Sequence, residues 1–322
     1  MANAELLAEL VRAHYSGDDR RFSNLLNQVI ASESRAGHVR LAQRLRELRT
    51  ESETQPTDDR QRPTPLARAP RSLEQYLSVA YSDVTLEDLV VSQDTRDILQ
   101  RYVIEQRAAE RLAQHGLKPR RRLLLHGPPG CGKTMAAHAL AGEVRLPIIR
   151  VRLELIFSRY LGETASTLSD VFEEAGRVRG VYLFDEFDAL GRTRLDDNDV
   201  GEVKRVVSTF LQLLDADHSD SILVAATNVG SALDEALFRR FDDVVEFPGP
   251  SKDQAHELLR RLLRRWRTKP SSALVEAAVG LSFADIRAAV EDALKQCVLE
   301  DRDEPSPKEL EVALRRRRHR LS

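Results

Sequence analysis

The stretch "GPPGCGKT", residues 127–134, places glycines, a lysine and a threonine between a short apolar run and a helix-forming one. Gly127, Gly130 and Gly132 let successive backbone N–H groups approach phosphate oxygens, with Pro128, Pro129 and Cys131 completing the loop. The helix that opens at its end adds a dipole favourable to anions. Lys133 is then placed to reach the β- and γ-phosphates of ATP, and the Thr134 hydroxyl to bind Mg²⁺. Further on, "VYLFDEFDAL" ends an apolar run in Asp185 and Glu186. That order suits a magnesium ligand, Asp185, followed by a water-activating base, Glu186. Asp188 reads as a local cap or polar neighbour. The next apolar run delivers Asn228, whose amide can hold the attacking water and touch the γ-phosphate. Arg239 and Arg240 follow, flanked by Phe238 and Phe241. Together these residue types imply transfer of a phosphoryl group to water. Cys131 sits where a helix terminus can lower a thiol pKa, although a small loop residue is the plainer reading.

Those groups need a rigid frame. Five apolar runs alternate with helical stretches: "RLLLH", "PIIRV", "VYLFD", "ILVAAT" and "VVEF". Continuous apolar strands divided by helices predict a parallel sheet covered on both faces. After "PGPS" at residues 248–251 the pattern is helical to the end. With 42% apolar and 31% charged residues the chain reads as globular, and a net charge of −2 supplies no global field for nucleic acid or anionic lipid. No apolar run approaches the ~18 residues that span a bilayer, and no N-terminal signal is visible. Cys131 and Cys297 are too few for a disulfide framework or a metal cage, which points to a reducing cytoplasm. "HELLR", from His256, resembles a zinc-peptidase string, but Arg260 stands where the second histidine is required.

Residues 1–50 carry three short helical stripes, of which Phe22, Leu25, Leu26, Val29 and Ile30 form the second. They predict a small helical module, read as a recruitment device or as a packing appendage. Residues 51–72 hold Pro56, Pro63, Pro65 and Pro70 among polar residues, the composition of a flexible linker. Residues 73–250 then form an α/β subdomain, and residues 251–322 a helical one with a basic tail.

The loop, the Asp-Glu pair, the asparagine and the paired arginines, in that order, resemble the AAA ATPases of the AAA+ superfamily. The compact "LFRRFD" looks most like the katanin and spastin group. The likeness covers roughly residues 73–299. It implies an α/β P-loop NTPase core with a five-stranded parallel sheet, a C-terminal helical lid and a single ring, usually hexameric. In such a ring Arg239 and Arg240 are arginine fingers acting on the neighbouring subunit's ATP. "SRYLGE" resembles the family's first pore loop, with Tyr160 and Leu161 lining the channel and Gly162 after them. An aromatic ring grips a polypeptide without reading its sequence, because area burial and stacking are nearly non-directional. Residues 191–202 read either as a second pore loop or as a mobile segment.

The resemblance thus implies an ATP-dependent protein remodeller or unfoldase, its N-terminal module recruiting a substrate or adaptor. It either serves a separate protease or disassembles complexes. The alternative is a nucleic-acid-associated motor or loader, supported by the terminal "RRRRHR". That run follows an acidic stretch and reads more simply as a solvated tail or an intersubunit contact. Two departures concern base recognition rather than phosphate chemistry. Phe283 replaces the glycine of the family's lid motif, and "LVVSQ" at residues 89–93 stands where a paired-glycine turn is usual. Arg287 is left as surface.

Overall fold

The computed structural model describes residues 72–157, 161–187, 200–228 and 238–319, with positions 9, 25, 29, 43 and 70. The chain divides into two units, Met1–Pro63 and Thr64–Ser322. In the first, Glu9, Leu25, Val29 and Gln43 are helical, and Leu25 and Val29, one turn apart, are both buried. The remainder of the expected module lies outside the described residues, as do Tyr160, Asp188 and positions 191–199.

The second unit is built on a six-stranded sheet. Its strands are β1 (Leu77–Ala80), β2 (Arg122–His126), β3 (Ile148–Val151), β4 (Val181–Phe184), β5 (Ile222–Thr227) and β6 (Asp243–Glu246). The order across the sheet is β1-β3-β4-β5-β2-β6. All neighbours run parallel except β1, which pairs antiparallel with β3 in the register Leu77↔Val151. The expected five parallel strands are therefore present, and an antiparallel edge strand is added. β1 escaped the sequence reading because a four-residue edge strand with one paired side needs no continuous apolar run. The central strands do need one. Leu124 packs into an aromatic core on one face, while Leu123 and Leu125 enter a second core on the other.

Helices α1 (Gln93–Arg107) and α3 (Lys133–Val144) contribute to the second core; α2 (Ala109–Gln114) is short and not buried. On the first face lie α4 (Leu153–Phe157), α5 (Leu161–Arg177) and α6 (Val200–Ala216). Leu161 opens α5. The lid follows as α7 (Lys252–Leu262), α8 (Ser272–Ala278), α9 (Phe283–Leu299) and α10 (Pro307–His319), around a core of its own. Ser251, Ser271 and Ser282 cap α7, α8 and α9 through their hydroxyl oxygens, which explains how a purely helical segment is divided so sharply. Among the described residues no helix is long and apolar enough to cross a membrane.

Candidate active site

Parallel strands bring their carboxyl ends to one edge, and the predicted chemistry collects there. The 127–134 loop leaves β2 and enters α3. Gly127 (φ 139°) has no room for a side chain, since a Cβ would lie 2.2 Å from the Phe247 carbonyl oxygen. At Gly130 (φ 74°) a Cβ would meet the Ser282 hydroxyl at 2.6 Å. Lys133 is buried, and its ammonium donates to the Gly127 and Pro128 carbonyls at 2.6 and 2.8 Å and to Asn228 Oδ1 at 3.0 Å. A buried cation demands such partners, and the three oxygens hold it inside the loop. The phosphate loop and the end of β5 thus bring Lys133 and Asn228 together.

Asp185 and Glu186 sit in the turn after β4. That turn is anchored from below, where the Phe184 and Phe187 rings pack on Phe210 at 5.1 and 4.8 Å between centroids. The Phe187 N–H donates to the Ala226 carbonyl at 2.8 Å. Glu186 is exposed and adopts a left-handed φ of 54°. For a residue with a Cβ this conformation costs about 1–2 kcal/mol, and the turn holds the carboxylate at the cavity wall regardless. Thr134 Oγ1 donates to Asp185 Oδ2 at 3.1 Å. A hydroxyl beside a carboxylate is a hard-oxygen donor pair that fits a magnesium ion.

Two neighbours of Asp185 were not anticipated. Arg150, the polar residue of β3, reaches Asp185 Oδ2 at 3.5 Å. His138, one turn after Thr134 on α3, has its pKa pushed below the ordinary value, first by burial and then by Arg150, against the pull of Asp185. Cys131 fits the plainer reading, that of a small loop residue. Burial pushes its thiol pKa up, Lys133 opposes this, and Asp285 adds to the rise, so the helix terminus does not activate it.

A cavity of about 410 Å³ joins these groups, within the range usual for small-molecule sites. Lys133, Thr134, Asp185, Glu186 and Asn228 supply its polar wall. Leu89, Val90, Val91, Leu258 and Phe283 supply the apolar one. Both family departures therefore border the cavity, and Phe283 packs against the sheet core and the lid core together. Arg287, expected only at the surface, is exposed and also lines the cavity. One helical turn separates it from Phe283, a spacing that would have placed it there.

Arg239 and Arg240 lie elsewhere. Phe241 is buried, and Asp242 binds both ways at the amino-terminal end of β2. Its carboxylate accepts the Arg121 and Arg122 N–H groups at 2.8 and 2.9 Å, and its own N–H donates to the Arg122 carbonyl. Phe238, just before the arginines, has its ring 6.4 Å from that of His126 at the other end of that strand. Arg240 pairs with Asp215 at 2.9 Å, Arg239 is exposed, and neither lines the cavity. The geometry brings the loop, the Asp-Glu pair and the asparagine together and leaves the arginines apart.

The comparisons bear on the family alone. Residues 123–249 match the model of the ATPase family associated with various cellular activities (AAA). An uncharacterized AAA family ATPase, y4kL, of Sinorhizobium fredii is 35% identical over 98% of this chain and 95% of its own length. The proteasome-activating nucleotidase of Pyrococcus horikoshii is 39% identical over 188 residues, 55% of this chain and 47% of that protein. The ATP-dependent zinc metalloprotease FtsH 3 of Sphaerobacter thermophilus is 32% identical over 74% of this chain and 50% of that one. Against these last two, the alignment spans about half of the relative's length. With a cavity of nucleotide size at the carboxyl ends of a P-loop sheet and a relative matched almost end to end, the chain belongs to the AAA family and is an ATPase.

Proposed function

We propose that this ATPase is a protein remodeller that works as a ring, usually hexameric, and pulls polypeptide through a central pore lined by Tyr160 and Leu161. One observation carries the ring: Arg239 and Arg240 stand apart from the cavity that gathers Lys133, Thr134, Asp185, Glu186 and Asn228. Neither of these two guanidiniums lines the cavity of its own chain, which supports their acting on the site of a second copy. The unfolding activity is supported by the "SRYLGE" resemblance and by relatives named for proteasome activation and for ATP-dependent proteolysis.

In this reading the loop amides of residues 127–134 and Lys133 bind the phosphates of ATP. Thr134 and Asp185 hold Mg²⁺, which when bound neutralises phosphate charge. Glu186 takes the proton of the attacking water, and Asn228 orients that water. Arg239 and Arg240 stabilise negative charge on the neighbour's transferred phosphoryl group. The module at residues 1–50, tethered through residues 51–72, recruits a substrate or adaptor, and cleavage, where it follows, belongs to a separate protease. Glu257 of the "HELLR" string is held by Arg260 and Arg261 at 2.7 and 2.6 Å.

The nucleic-acid alternative rests on the terminal arginines, and the lid uses three of them internally. Arg315 pairs with Glu311, Arg317 with Asp285, and Arg318 donates to the carbonyls that end α8. ATPase assays at about 0.1 M salt, where long-range contacts between exposed charges are largely screened, separate the two readings. Unfolded polypeptide is expected to stimulate turnover, with DNA and RNA without effect. Stimulation by nucleic acid alone would overturn the proposal.

A further inference from the structure

The arginine run at the end of α10 is a sequence feature that the proposed mechanism leaves without a role. Leu310 and Leu314 are fully buried in the lid core, so α10 is fixed along its length. At its far end Arg318 donates to the carbonyls of Glu276, Ala277 and Val279 at 3.1, 2.7 and 2.6 Å, closing the end of α8. Arg317, next to it, extends its Nε to Asp285 Oδ1 at 3.0 Å.

Asp285 is no ordinary surface acid. It lies in the first turn of α9, where its other oxygen accepts the Ser282 hydroxyl at 2.6 Å, and its backbone N–H donates back to that hydroxyl at 3.2 Å. The same Ser282 hydroxyl fills the space above Gly130, and the Ala284 N–H donates to the Gly130 carbonyl at 3.1 Å. The first turn of α9, which carries this carboxylate, is thus seated on the middle of the phosphate-binding loop through the Ser282 hydroxyl and the Ala284 N–H. Burial pushes the Asp285 pKa up, but the Ser282 hydroxyl and the Arg317 guanidinium outweigh it, and the net direction is down. A group lowered in this way is charged above the ordinary carboxylate range and gains its proton only as pH falls below it. At neutral pH a negative charge therefore sits in the turn that rests on the loop that has to accept a polyanion. Its field reaches that loop, since it contributes to raising the Cys131 thiol.

We propose that Arg317 is a positioning residue for nucleotide: it neutralises Asp285, so that the lid can seat its first turn on the phosphate loop without repelling the phosphates. The proposal rests on the reading of residues 127–134 as the phosphate site. It turns the basic run from an external binding patch into an internal counter-charge. The pair is partly exposed, with side-chain exposures of 37% for Arg317 and 17% for Asp285, so its influence on the site is subject to salt.

The charges make predictions of opposite sign. R317Q leaves Asp285 unbalanced and is expected to weaken ATP binding by about tenfold. D285N leaves Arg317 unbalanced and is expected to tighten it by roughly twofold to fivefold. The double variant returns to within about threefold of the parent, and R317K stays close to it. Binding is measured on the full chain with a fluorescent ATP analogue at about 0.05 and 0.5 M salt, the higher salt shrinking both single-variant effects. A purely structural strut predicts the contrary: D285N weakens binding as R317Q does, the double variant recovers nothing, and salt changes little. Any of those results overturns the proposal. D285N and R317K remain decisive if R317Q fails to fold. K133A tests the underlying site separately, because unchanged nucleotide binding in K133A would refute the phosphate-loop reading whatever the Asp285 variants do.

Discussion

Arg239→Ala is expected to lower ATP turnover of the assembled protein by about 10³–10⁵-fold while each subunit still binds nucleotide. Arg239 is exposed, does not line the cavity of its own chain, and precedes a segment tied to the amino-terminal end of β2. Its removal leaves Lys133, Thr134 and Asp185 untouched, so ATP affinity holds and only hydrolysis fails. Arg240 is held by Asp215 in a pair that is 34% and 49% exposed, and such surface pairs contribute about 0–1 kcal/mol, little enough to be exchanged for a phosphate. The expectation has a sharper form. An R239A subunit keeps an intact Glu186, and an E186Q subunit keeps an intact Arg239. Mixing the two inactive proteins is expected to restore part of the turnover, at junctions where one supplies the cavity and the other the arginine. Turnover that stays normal in R239A, or no recovery on mixing, would contradict catalysis between subunits.

Glu186→Gln is the second large effect, a loss of about 10²–10⁴-fold in turnover with ATP retained. The amide has the shape of the acid and the same backbone preference, so the left-handed turn at φ 54° is not further strained. It cannot accept the proton of an attacking water. Asp185, whose oxygens already meet the Thr134 hydroxyl and the Glu186 N–H, stays in place, so metal and phosphate binding persist. The measurement is paired: single-turnover hydrolysis, and retention of labelled ATP after rapid gel filtration. Unchanged turnover would show that another group is the base. A variant that no longer retains ATP would move Glu186 from catalysis to binding.

Most of the frame and the phosphate wall were legible because their physics is local. A buried parallel strand must be apolar on both faces, as Leu123, Leu124 and Leu125 are, and a loop that wraps phosphate must be rich in glycine. The lid was legible only as a helical stretch, its division by Ser251, Ser271 and Ser282 coming from the structure. What stayed hidden depends on contacts between distant segments. β1 is an edge strand whose four residues carry no distinctive pattern. The ion pair between Asp285 and Arg317 joins positions separated by a helix and a loop, and nothing in "RRRRHR" distinguishes an internal cation from an external one. Cys131 illustrates the limit from the other side. Its place near a helix terminus suggested a lowered pKa, but burial, which a sequence does not display, acts in the opposite direction and prevails.

The central claim is that ATP cleavage at subunit junctions is converted into a pull on polypeptide by Tyr160. It is tested most directly by following ATP hydrolysis and unfolding of a tagged fluorescent protein in the same sample, for the parent and for Tyr160→Ala. The account predicts hydrolysis within about threefold of the parent, because an aromatic that grips by burial takes no part in phosphate chemistry, and unfolding reduced to background. Unfolding at the parental rate in Tyr160→Ala would contradict it.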